Sequence, residues 1–139
     1  MAQQTDQKEA AASPRRDVGV FRTVAVASLL VLVYQFATAG QILVESQSAE
    51  LLHWIGSYAV HVLFGLLALA AAAHWWLRRV TVWPTVVAAL VFVLSFVQAY
   101  FGHAGALGWH VPVALGLTVG TVWVAAWSFT VGARQSARQ

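Results

Sequence analysis

Polar and apolar positions fall into long blocks along this chain. No Asp, Glu, Lys or Arg occurs from Thr23 to Val44, from Leu51 to Leu77, or from Val80 to Ala133. Such blocks predict helices that cross a bilayer, each of roughly 20 or more residues. Four are expected: Phe21 to Val44, Leu51 to Leu77, Trp83 to Phe101 and Trp109 to Val131. The connections are an acidic loop from Glu45 to Glu50, a tight turn at Arg78 and Arg79, and the Gly-rich turn Gly102 to Gly108. Pro84 and Pro112 each sit near a helix start, where a missing N–H costs little. Residues 1–17 are polar and Ala/Gln-rich and are expected to be a mostly disordered tail. The first apolar run is too long for a secretory signal and lacks a cleavage site. The organisation is thus a tail (1–17), one transmembrane domain (18–133) and a second short tail (134–139).

Short connections make neighbouring helices antiparallel. The fold class is therefore all-α, a membrane-embedded antiparallel up-down four-helix bundle. Composition agrees, since 60% of the 139 residues are hydrophobic and 9% charged, whereas a soluble domain carries about 25% charge. There is no cysteine, which excludes disulfides, thiolate metal sites, iron–sulfur clusters and covalent haem attachment. All eight Lys and Arg fall at one end of the expected bundle, and the opposite loops carry only Glu45 and Glu50. By the positive-inside rule both termini are cytoplasmic, in a bacterial cytoplasmic (inner) membrane. Trp75, Trp76 and Trp83 at one interface and Trp54 and Trp109 at the other fit aromatic belts. The net charge of +3 reflects this end bias and does not imply nucleic-acid binding.

Five histidines lie within or beside the apolar blocks. Ionisable groups at such depth point to function. Counting from the turns puts His61 on the second helix and His110 on the fourth at nearly the same depth, to within one turn, about 5 Å. A small residue follows each one turn later, Gly65 and Ala114, leaving room for a flat macrocycle beside the ligand. Two neutral imidazoles facing across a bundle are a natural axial pair for haem iron. The other reading makes them interhelical hydrogen-bonders. His53 lies about 12 Å above His61 and is an alternative ligand, a haem-propionate contact, or a headgroup residue. His103 ends the third helix and is an alternative ligand or a solvated turn residue. His74, beside Trp75 and Trp76, is expected at the cytoplasmic interface. A second haem has no support, because the fourth helix has Trp123 where a partner for His74 would be needed.

Gln35 and Gln98 should face the interior, because an unpaired amide in lipid is costly. Either could orient an axial imidazole through its free N–H or act as interhelical glue. Gly116-x-x-x-Gly120 signals close helix approach, within the bundle or in a homo-oligomer.

The segment Gln98-Ala-Tyr-Phe-Gly102, followed by Trp109-His110-Val111-Pro112 and combined with a histidine-bearing second helix, resembles one four-helix half of haem A synthase. The chain is also similar to small actinobacterial four-helix integral membrane proteins sharing His-x-x-x-Gly and His-Val-Pro elements, here His61 to Gly65 and His110 to Pro112. The resemblance covers about residues 21–131. It implies a b-type haem between histidines of the second and fourth helices. It also implies a Glu three residues before the second-helix ligand, which Glu50-Leu-Leu-His53 matches and His61 does not. The depth count and the resemblance thus name different ligands, and the count is given precedence. The oxidative chemistry of haem A synthase is not implied, since only one half and no cysteine pair are present.

The expected function is a membrane b-type haem protein with axial ligands His61 and His110, serving electron transfer or haem handling. A respiratory or haem-assembly complex is the expected kind of partner. The rival is a cofactor-free small subunit packing against a larger complex. No carboxylate pair, nucleophile–base pair or phosphate loop appears, so an enzymatic role has no residues to rest on; any activity would be redox.

Overall fold

The computed structural model describes the backbone of residues 2–44, 47–78 and 81–136, and the side chains of residues 18–44, 48–78 and 81–130. Four helices follow in order: α1 (Ala2–Ile42), α2 (Gln47–Arg78), α3 (Trp83–His103) and α4 (Leu107–Ser136). All four contain stretches long and apolar enough to cross a membrane: Val18–Ile42, Ser48–Arg78, Trp83–His103 and Leu107–Thr130. Each packs on its neighbours in the chain, and α4 closes against α1. The result is a four-helix bundle with α2 and α4 on one diagonal and α1 and α3 on the other.

Helix ends follow from local chemistry. Pro84 opens α3, and Glu50 lies in the first turn of α2, where a carboxylate meets the positive end of the helix dipole. Between α3 and α4 the backbone turns through Gly105, whose φ is +67°. The Ala106 N–H reaches back to the Phe101 carbonyl at 2.9 Å and the Gly105 N–H to the Gly102 carbonyl at 3.1 Å. That is a Schellman-type ending, and its left-handed residue favours glycine. The turn is so short that His110 falls in the first turn of α4. At the other end, α1 begins at Ala2, inside the segment expected to be a disordered tail. Its Ala, Gln, Glu, Lys and Arg are good helix formers, and they carry the helix on from the apolar stretch.

The interior has two apolar layers. Phe21, Ala25, Leu67, Ala71, Ala88, Val124 and Ala125 fill one. Leu32, Val60, Phe64, Val91 and Leu117 fill the other, nearer the α3–α4 turn. Large apolar side chains such as Leu30, Val33, Leu69, Val93 and Val119 point outward, as a surface in contact with lipid requires. Buried hydroxyls are satisfied by their own helices: Thr121 donates to the Leu117 carbonyl at 2.7 Å and Ser128 to that of Ala125 at 2.6 Å. His74 departs from the sequence expectation. It is only 2% exposed, stacked on Phe21 at 5.7 Å and edge-on to Trp127 at 5.9 Å. Both α1 and α4 run past its level and cover it, leaving Trp75 and Trp76 exposed.

The structure separates the two glycines of Gly116-x-x-x-Gly120. A Cβ at Gly120 would lie 2.7 Å from Val91 Cγ2, whereas one at Gly116 meets nothing within 4 Å. Val91 is buried and β-branched, so it has few rotamers to yield with. Gly120→Ala is expected to destabilise the bundle by about 1–3 kcal/mol and Gly116→Ala to be near neutral, measured by unfolding midpoints in detergent micelles.

Candidate functional site

The end of the bundle bearing the α3–α4 turn gathers two histidines and their supports. His53 lies on α2, and α1 holds it: its Nδ1 is 2.9 Å from Thr38 Oγ1 and 3.2 Å from the Gln35 carbonyl oxygen. The Thr38 hydroxyl has a single proton, and it is directed at the carbonyls of Gln35 at 3.0 Å and Tyr34 at 3.1 Å. Both neighbours of His53 Nδ1 therefore accept, so Nδ1 carries the proton and Nε2 is left with a bare lone pair. His110 on α4 is held in the same way by α3, its Nδ1 donating to the Gln98 carbonyl at 2.9 Å. Its Nε2 is likewise bare. The α1–α2 and α3–α4 hairpins thus repeat one device, a glutamine carbonyl fixing the tautomer of a histidine on the following helix.

The two imidazoles are neighbours across the α2–α4 diagonal, with ring centres 6.4 Å apart and planes inclined at 59°. The apolar layer of Leu32, Val60, Phe64 and Leu117 forms the floor beneath them. Gly102 permits the approach. At Gly102 a Cβ would sit 2.8 Å from His110 Cε1, whereas one on Gly56 would meet no histidine, only the amide tip of Gln35 and the ring edge of Tyr34. The side-chain oxygens of Gln35 and Gln98 are both buried without a hydrogen-bond partner.

His110 is therefore brought to His53 and not to His61, which corrects the pairing expected from depth. The ring of His61 lies flat on Phe96, centres 4.3 Å apart at 3°, and its Nδ1 contacts Ser95 Oγ at 2.8 Å. The depth count assumed that α2 and α3 rise equally from the turn they share. They have 32 and 21 residues, and the contacts Gly65–Phe92 and His61–Ser95 show α2 running ahead by about four or five residues, about 7 Å. Equal counts are therefore not equal depths.

Gly65 also has another use than expected. A Cβ there would lie 3.3 Å from the Phe92 ring, so it makes room for Phe92. Ala114 is half-buried, and its carbonyl accepts from the Thr118 hydroxyl at 2.8 Å. His103 is exposed at the end of α3. Gln35 and Gln98 do orient imidazoles, through backbone carbonyls rather than amide side chains, a distinction that no sequence pattern carries.

Two bare imidazole nitrogens on opposed helices suit a metal with two trans positions to fill. With metal–imidazole bonds of about 2 Å, ring centres 6.4 Å apart are compatible with His53 and His110 holding one metal between them. Among the described residues no three His, Asp or Glu group as metal ligands. Comparisons with protein-family models, curated proteins and solved structures give no match.

Proposed function

We propose that this membrane bundle binds one b-type haem, with His53 and His110 as its two axial ligands. The observation that carries the reading is the opposed pair itself: ring centres 6.4 Å apart, each with Nδ1 donating to a glutamine carbonyl. A ligating histidine characteristically donates its second nitrogen this way, which fixes the tautomer and raises ligand basicity. The diagonal between α2 and α4 and the apolar floor suit a flat hydrophobic group. The likeness to one half of haem A synthase supports the same reading, because His53 is the histidine preceded by the matching Glu50.

Bound there, a haem supplies a one-electron couple, and two imidazoles saturate its iron. This favours electron transfer or haem handling over oxygen activation. The chain's own residues fix the tautomer and the aim of the imidazoles and line the floor beneath them with apolar side chains. The purified protein is expected to give one b-type haem per chain in a pyridine-haemochrome assay. A fully helical but colourless protein would support the cofactor-free subunit instead.

The cationic ends support an orientation with both termini in the cytoplasm and the histidine pair near the outer face. The absence of cysteine makes this easy to check. An impermeant maleimide on intact cells should label Ala104→Cys and not Thr81→Cys, both at exposed positions; the opposite pattern overturns the orientation.

A further inference from the structure

We infer that His61 forms a second binding site, for a membrane-soluble hydroxyl donor of the phenol or hydroquinone class, on the outward side of α2 where it meets Phe96 of α3. This site goes beyond the haem reading and does not depend on it. Ser95 Oγ is 2.6 Å from the Phe92 carbonyl, which can only accept, so the serine proton is spent there. Ser95 Oγ is also 2.8 Å from His61 Nδ1, and with the serine proton on the nearer carbonyl the histidine is the donor in that contact. His61 is thereby fixed as the Nδ1–H tautomer, and its Nε2 is a bare acceptor.

The position of that acceptor selects the partner. His61 lies two residues from the middle of the apolar stretch Ser48–Arg78 and is partly exposed among outward-facing Val62, Leu66 and Phe96. Hydrocarbon offers it no donor, and an unpaired acceptor there is costly. Hydroxyls anchored in the headgroup region do not reach this depth. A ring carrying a hydroxyl that partitions into the bilayer does. The wall of the site is aromatic and ordered: His61 lies flat on Phe96, which meets Phe92 edge-on at 5.1 Å, and Gly65 leaves Phe92 its place. A planar phenol fits this wall and supplies the missing O–H. The association transfers no electron and needs no co-reactant.

The test uses the full chain in lipid nanodiscs, labelled with [15N]histidine and kept under dithionite so that any bound iron is ferrous and low-spin. His61→Phe identifies the His61 signals by their loss. The free protein should show Nδ1 protonated and Nε2 bare at His61. Adding 4-octylphenol should move the Nε2 signal upfield, while its methyl ether, 4-octylanisole, leaves it in place. Ser95→Ala, which frees the tautomer, should weaken phenol binding about fivefold, as expected for one hydrogen bond. His53→Ala should leave the phenol response intact, so failure of the haem reading would not be mistaken for failure of this one. An Nε2–H tautomer in the free protein, no response to the phenol, or equal responses to phenol and ether would each overturn the site.

Discussion

His53→Ala and His110→Ala are each expected to abolish stoichiometric haem in the purified protein, whereas His61→Ala keeps it. The contrast has a geometric origin. His53 and His110 are each other's ring neighbours across the bundle, while His61 is occupied by Ser95 and Phe96, about 12 Å further along α2. Loss of an outer partner of a ligating histidine typically weakens metal binding 10–100-fold. Removing the ligand itself should exceed that, a fall of more than about 100-fold, read as haem retained through chromatography. Loss of haem in His61→Ala with retention in His53→Ala would restore the pairing expected from depth and refute the one argued from the structure.

Gly102→Ala is expected to have the second-largest effect. The new Cβ would lie 2.8 Å from His110 Cε1 and 3.0 Å from its Nδ1. The ring cannot retreat freely, because its Nδ1 is tied to the carbonyl of Gln98, one turn before Gly102 on α3. The substitution should tilt or displace His110, converting the iron from low-spin towards high-spin and lowering haem occupancy about 10–100-fold, the range for a disturbed ligand support. Gly56→Ala is the control. Its Cβ would meet the amide end of Gln35 and the edge of Tyr34. The first is a flexible tip and the second is half-exposed and free to swing outward. Its absorption spectrum should stay close to that of the parent protein.

Much of the architecture was legible in the charge-free blocks, because hydrocarbon leaves a chain little choice but helices. The blocks locate all four spans, and the short turns fix an up-down bundle. His110, Gln35 and Gln98 also stood out, as polar groups that need a reason to be at such depth. Which histidine of α2 meets His110 was not legible from counting, since helix offset is set by packing and not by residue number. Gly65 fitting against Phe92 and Gly120 against Val91 are contacts that place the helices, and neither announces its depth in the sequence. The Glu50-Leu-Leu-His53 pattern pointed to the histidine that stands beside His110. His74 was misplaced for a related reason. Its tryptophan neighbours mark an interface, but the side chain turns inward between Phe21 and Trp127, and one residue along a helix is enough to change faces.

One iron shared by His53 and His110 would carry two imidazoles. Near-infrared magnetic circular dichroism of the ferric protein, recorded beside EPR, reports axial ligands directly. A low-spin, bis-imidazole signature is expected, kept in His61→Ala and lost in both His53→Ala and His110→Ala. A high-spin iron in the parent protein, or a bis-imidazole signature that survives His53→Ala, would contradict it.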